Sequence, residues 1–144
     1  MGYTHYWRST SVAPSDEQIA RAFQDLRIIV DAQQALLANN LGKPGTKPEI
    51  SSAHSAVAFN GVEPNDFETF TIALAHSLHG FCKTGRRPYD VVVVACLCAL
   101  SDRLGPAIHV TSDGYSHEWE DGRQLAAHTL GRSIRVPTSV RVQS

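Results

Sequence analysis

Along residues 3–8 the positions alternate, with Tyr3, His5 and Trp7 on one side of an extended chain and Thr4, Tyr6 and Arg8 on the other. That period of two predicts a short aromatic strand, closed by Ala13-Pro14. The period then lengthens. Ser15-Asp16-Glu17-Gln18 has the form of a capping box. Behind it Ile19, Phe23, Leu26, Val30 and Leu37 recur at helical spacing, with Ile29 and Leu36 widening the stripe. A first helix is expected from about residue 15 to 40, stopping at Asn40-Leu41-Gly42. Gly42 to Pro48 is a loop by its glycine and proline content.

Three β-like pieces follow, Ser55–Asn60, Glu68–Ala73 and Leu78–Lys83, with turn signals at Asn60-Gly61 and Glu63-Pro64-Asn65-Asp66. They read as an antiparallel meander. Pro88 suits the first turn of a helix. Val91-Val92-Val93-Val94 favours a strand, but the Ala-Cys-Leu-Cys-Ala-Leu continuation and Gly105 as a stop favour a buried helix over Tyr89–Leu104. Pro106–Thr111 is a strand ending at Ser112-Asp113-Gly114, and a last helix is expected near residues 117–130. The tail from Ser133 is either an edge strand or an arm reaching to a partner. The economical architecture is a single α+β domain over residues 1–144. Its mostly antiparallel sheet has about five strands, with about three helices packed on one face.

Composition narrows the function classes. With 144 residues, 42% apolar and 19% charged, the chain can bury a core of its own. A net charge of −1 is far from the basic balance of a duplex-DNA binder. Phosphate recognition must come from a local cluster, and duplex nucleic acid is not the expected partner. The longest apolar run, Val91 to Leu100, is about half of what spans a bilayer. The opening residues do not resemble a signal peptide, and three cysteines do not make a disulfide framework. A cytoplasmic protein without membrane contact is expected.

The densest chemistry lies in Phe81-Cys82-Lys83-Thr84-Gly85-Arg86-Arg87-Pro88-Tyr89-Asp90, where three of the thirteen basic residues fall within five positions before an expected helix. A helix N-terminus presents unpaired N–H groups and partial positive charge. Lys83, Thr84, Arg86 and Arg87 add charge and donors, and arginine grips phosphate bidentately. The competing reading is a solvated turn whose arginines pair with Asp90 or Glu68. No P-loop is present.

The opening segment supplies aromatic surface. Tyr3, Tyr6, Trp7 and His5 can stack on a base, or else the alternate aromatics are core and His5 is a buried, hydrogen-bonded histidine. Asp113 caps its loop, holds His5 or a ligand hydroxyl, or acts as a base. Asn60 is a turn residue or a ligand contact, and Glu68 faces a cation of the basic segment. Cys82 as an activated thiol and His76, His79 and Cys82 as zinc ligands are the weaker readings. No metal, cofactor or catalytic residue is expected.

These motifs together carry a resemblance. With Gly2 to Trp7, Phe59-Asn60-Gly61, Glu68-Thr69-Phe70, Phe81 to Thr84, Pro88-Tyr89-Asp90, and Ser112-Asp113-Gly114 with Trp119 in this order, the chain resembles a family of small uncharacterised bacterial and phage proteins. The resemblance implies one folded unit carrying one shared site, and it brings no activity. The first expectation is therefore a binder of a small phosphorylated, nucleotide-like ligand. Lys83, Arg86 and Arg87 would hold phosphate, Tyr3, Trp7 and Tyr89 the ring, and Asn60 or Asp113 a sugar hydroxyl. In a phage such a protein would be a sponge sequestering an immune signalling nucleotide, by analogy of size and site chemistry. The alternatives are an enzyme acting on a nucleotide or phosphoester, with His5 and Asp113 as acid and base, and a protein–protein module inhibiting a host factor. Homo-oligomerisation through the aromatic strand or the tail is expected.

Overall fold

The computed structural model describes residues 2–144. Seven strands and three helices form an α+β fold: β1 (Thr4–Ser9), α1 (Asp16–Ala32), β2 (Leu37–Ala38), β3 (Glu49–Ser51), β4 (Ala56–Gly61), β5 (Phe70–Ala73), β6 (His79–Lys83), α2 (Asp90–Leu104), β7 (Ile108–Ser112) and α3 (Glu120–Leu130). The strands divide between two antiparallel sheets instead of one. In the first, β1 lies between β6 and β7; in the second, β2, β3 and β5 all pair with β4.

The capping box at Ser15 and Gln18 forms as expected, each side chain accepting from the other residue's backbone N–H. The helix ends eight residues short of the expected stop. Gln33 leaves helical geometry at φ −120°, and after a 3-10 turn Leu37 and Ala38 pair with Gly61 and Asn60. Leu37 is therefore buried as a strand residue, although its spacing continues the helical stripe.

The expected meander is also corrected. β4 and β5 pair, but β6 crosses to the other sheet and pairs with β1, Tyr6 opposite Phe81 and Trp7 opposite Gly80. Packing explains that choice. Gly80 leaves room for the Trp7 ring, which a Cβ there would meet at 2.7 Å. Trp7 continues onto Phe70 of β5, ring centroids 5.3 Å apart, and so joins the two sheets.

The valine run is helical. Every residue of α2 from Val92 to Leu100 is buried, so tertiary burial overrides the β preference of valine. α1 and α3 pack along α2, and the inward side of β1 closes over its first turn. The tail is neither an edge strand nor a free arm. Ile134 and Val140 are buried, the Ser139 hydroxyl donates to the Val110 carbonyl, and Arg141 donates to the Asp113 carbonyl at 2.8 Å. No helix among the described residues is long and apolar enough to cross a membrane.

Candidate functional site

β1 has two chemically different sides. Its inner side carries Tyr3, His5 and Trp7 into the core. His5 has no exposed surface, so both ring nitrogens need partners. Nε2 lies 2.7 Å from Asp90 Oδ1 in the first turn of α2, and Nδ1 lies 2.8 Å from Ser112 Oγ at the end of β7. The network extends at both ends. The Thr84 hydroxyl donates to Asp90 Oδ1 at 2.5 Å, and the Gly114 N–H donates to Ser112 Oγ at 2.9 Å. Tyr3 and Trp119 each meet the imidazole edge-on at 5.0 Å. Burial, reinforced by the charges of Asp90 and Glu118, pushes the Tyr3 hydroxyl pKa well above the usual phenol value.

Serine, histidine and aspartate in contact are the residue types of a nucleophilic triad. Here the histidine is sealed, and it meets the serine through Nδ1. The arrangement works as a polar cross-link between β1, α2 and β7. It does not bring His5 to Asp113. That carboxylate lies beyond the strand, accepting the Thr4 N–H at 3.0 Å and the Tyr6 hydroxyl at 3.2 Å. The expected acid–base pair is thus replaced by His5 with Asp90.

The basic segment is divided. The Thr84 and Gly85 N–H groups both donate to the Tyr3 carbonyl, and Gly85 and Arg86 take left-handed φ of 57° and 60°. This turn lays the Arg86 guanidinium 3.9 Å from the Tyr3 ring centroid and into an ion pair with Glu118. The hydrogen bond that Arg86 donates to Glu118 raises the Arg86 pKa. Burial works to raise that of Glu118, but the Tyr115 N–H and Arg86 hold it below the usual range. The N-terminus of α2 carries its own carboxylate, Asp90, so the chain itself supplies the anion expected there. Arg86 follows the solvated-turn reading, with Glu118 as its partner instead of Asp90 or Glu68.

Lys83 and Arg87 differ from Arg86. They sit 5.6 and 4.9 Å from the ring centroid of Phe67, and neither enters an ion pair among the described residues.

The expected ring wall is corrected as well. Tyr3, Trp7 and Tyr89 are all buried, and the Tyr89 hydroxyl donates to the Glu68 carbonyl. Glu68 holds the Lys83 backbone N–H at 2.8 Å through its carboxylate, not the ammonium. Asn60 is a residue of β4 whose side chain braces the loop that follows, not a turn residue or an open ligand contact. Its Oδ1 accepts the N–H groups of Gly61 and Phe67 at 2.7 and 3.0 Å, and its Nδ2 donates to the Phe67 carbonyl at 2.8 Å. Cys82 is sealed, and burial together with the nearby Glu68 pushes its thiol up to about 12, the opposite of an activated thiolate. His76 pairs with Asp16 on the surface, and no three metal-ligating side chains converge among the described residues.

The outer side of the same sheet is open. The register sets Tyr6 between Phe81 and Thr111, and Arg8 between His79 and His109. Lys83 follows Phe81 two residues along β6, on the same face. Among the described residues three aromatics are exposed, Tyr6, Phe67 and Phe81, and all three belong to this face or to the Lys83–Arg87 corner beside it. Tyr6 and Phe81 are 41% and 63% exposed, which is large for rings on adjacent strands. Arg8 enters no ion pair among the described residues either.

Sequence reasoning weighed Tyr6 but passed over Arg8 and Phe81. The available signal was the alternation itself, which puts Phe81 and Lys83 opposite Cys82. An open pocket of about 770 Å³ lies between Pro106, His109, Arg135 and Ser139, and none of the candidate site residues lines it. Comparisons of the chain with family models, with curated proteins and with solved structures find no match.

Proposed function

We propose that this protein binds a phosphorylated, nucleotide-like ligand across the open face of the β6–β1–β7 sheet. One observation carries the reading: exposed aromatic rings and unpaired cations occur together there. Tyr6 and Phe81 offer ring faces for stacking, worth about 1–3 kcal/mol per base. Arg8 and Lys83 flank them with positive charge. The donation from the Tyr6 hydroxyl to Asp113 fixes one ring in advance.

The reading is of a binder and not a catalyst. His5 has both nitrogens engaged and no exposed surface, and Cys82 is held as a thiol. In a phage, such a protein in the cytoplasm would sequester an immune signalling nucleotide, and an oligomer would multiply the sites.

Mass spectrometry tests this directly. The purified protein is incubated with a panel of nucleotides, heat-denatured, and the released ligand analysed. Intact release, lost in Tyr6→Ala plus Phe81→Ala, is the expected result. Release of an altered ligand would establish an enzyme. Depletion of no nucleotide would reject the reading and leave the protein–protein module in its place.

A further inference from the structure

We infer that the open face takes its nucleotides as a single-stranded nucleic acid, using Tyr6 and Phe81 as base platforms and Arg8, Lys83 and Arg87 as phosphate contacts. The inference rests on the nucleotide reading above and adds the form of the ligand.

Spacing is the first argument. Arg8 pairs with His79, and Lys83 lies four residues further along β6. At about 3.3 Å per residue the two cations stand roughly 13 Å apart along the strand direction. The Phe81–Tyr6 pair lies between them. One mononucleotide phosphate reaches a cation at one end and leaves the other unused. A strand with successive phosphates passes both while its bases meet the two rings.

Shape is the second argument. Small-molecule sites are concave and bury most of the ligand, whereas Phe81 at 63% exposure stands on an open sheet face. A polymer compensates for one-sided contact by repeating it, as single-strand binders do on aromatic platforms within basic tracks.

Charge is the third. The chain as a whole carries −1, but the carboxylates of Asp113 and Glu68 accept from N–H and O–H groups and do not pair with the cations of this face. Asp113 accepts the Thr4 N–H and the Tyr6 hydroxyl, and Glu68 accepts the Lys83 N–H. Lys83 and Arg87 rest against Phe67 instead of a carboxylate, so their charge remains available to a phosphate. Paired bases could not reach the rings, which separates a single strand from a duplex.

Fluorescence anisotropy with a labelled twelve-nucleotide single strand, in DNA and RNA versions, tests the inference against two competitors, a duplex of the same length and a mononucleotide. The single strand is expected to bind at least tenfold more tightly than either. Tyr6→Ala and Phe81→Ala should each weaken it about 5- to 150-fold. With three phosphate contacts, log K should fall with log salt at a slope of about −2. Arg8→Gln plus Lys83→Gln should flatten that slope by about 1.4. All four side chains lie on the open face, so an unchanged melting temperature should accompany each loss.

Mononucleotide binding without tighter binding of the strand would overturn the single-strand form and leave the nucleotide reading intact. Binding of neither would remove both. Equal binding of duplex, or strand binding that survives both alanine variants, would overturn the stacking platform. A dimer by light scattering that Phe81→Ala dissociates would assign the face to a second copy of the chain and overturn the inference.

Discussion

His5 Nε2 stands 2.7 Å from Asp90 Oδ1, and this contact ties the strand of the opening segment to the first turn of the central helix. Removing the imidazole takes one hydrogen-bond partner from the Asp90 carboxylate and one from the Ser112 hydroxyl. His5→Ala should cost about 2–4 kcal/mol in urea unfolding, combining a cavity with lost polar pairing. Asp113→Ala, on the other side of the strand, should cost under about 1 kcal/mol. Equal costs would mean that the buried contact is not the keystone of this junction.

Gly122 gives a case in which two known effects oppose each other. It lies within α3, where alanine is favoured by about 1 kcal/mol on helix propensity. A Cβ there would meet Val94 Cγ1 at 2.3 Å and Val94 Cβ at 2.6 Å. Valine in a helix has essentially one rotamer, so it cannot swing away, and overpacking of this kind costs about 1–3 kcal/mol. Gly122→Ala should therefore lower the melting temperature. A rise would show that α2 and α3 separate easily.

Asp25 predicts acid sensitivity. It is buried between Arg103, 2.7 Å away, and Arg132, 2.6 Å away. Burial alone would raise its pKa, but the hydrogen bonds and charges of Arg132 and Arg103 outweigh burial and hold it below the usual carboxylate value. A depressed folded pKa contributes stability that is fully present above the unfolded value of about 3.9. That contribution is lost as pH falls through the folded one. Asp25→Asn should cost about 2–3 kcal/mol at pH 7. Its stability should also fall less steeply than that of the parent between pH 5 and 2, followed by urea titration.

The thiols should be silent in the folded state. Cys82, Cys96 and Cys98 are fully buried, and burial pushes the Cys82 and Cys98 thiols up to about 12. A chromogenic disulfide reagent at pH 7.5 should report almost no reaction until denaturant is added, and three equivalents afterwards. Rapid labelling of one thiol in the native protein would reopen the nucleophile reading.

Much of the local structure was legible because it depends on neighbours in sequence. The Ser15–Gln18 box needs only four residues, and the alternation from Tyr3 to Arg8 separates two faces without outside information. What alternation does not reveal is which face is buried. Both sides of β1 carry aromatics, and packing decides the matter: Gly80 opens a space for Trp7, while Tyr6 stays exposed. Tyr3 and Trp7, expected from the sequence as a ring wall, are consequently the buried side of the strand. Partner choice was equally hidden. Arg86 has Asp90 four residues away in sequence yet pairs with Glu118, 32 residues later, and nothing local tells β6 to leave β5 for β1. Asp90 and Ser112 stood within the motifs, but only the folded chain aligns them on one imidazole.

The central place of β1 has a consequence for the order of synthesis. β1 is flanked on both sides by strands that follow it in the chain, residues 79–83 and 108–112. At about 5–20 residues per second, the opening aromatic segment waits on the order of ten seconds before Ser112 exists to close over His5. Until residues 79–83 are made both of its edges are open, and the edge that takes β7 stays open until residues 108–112 follow. Synthesis thus leaves an aromatic segment unpaired while both of its partner strands are still to come, a natural point of dependence on chaperones.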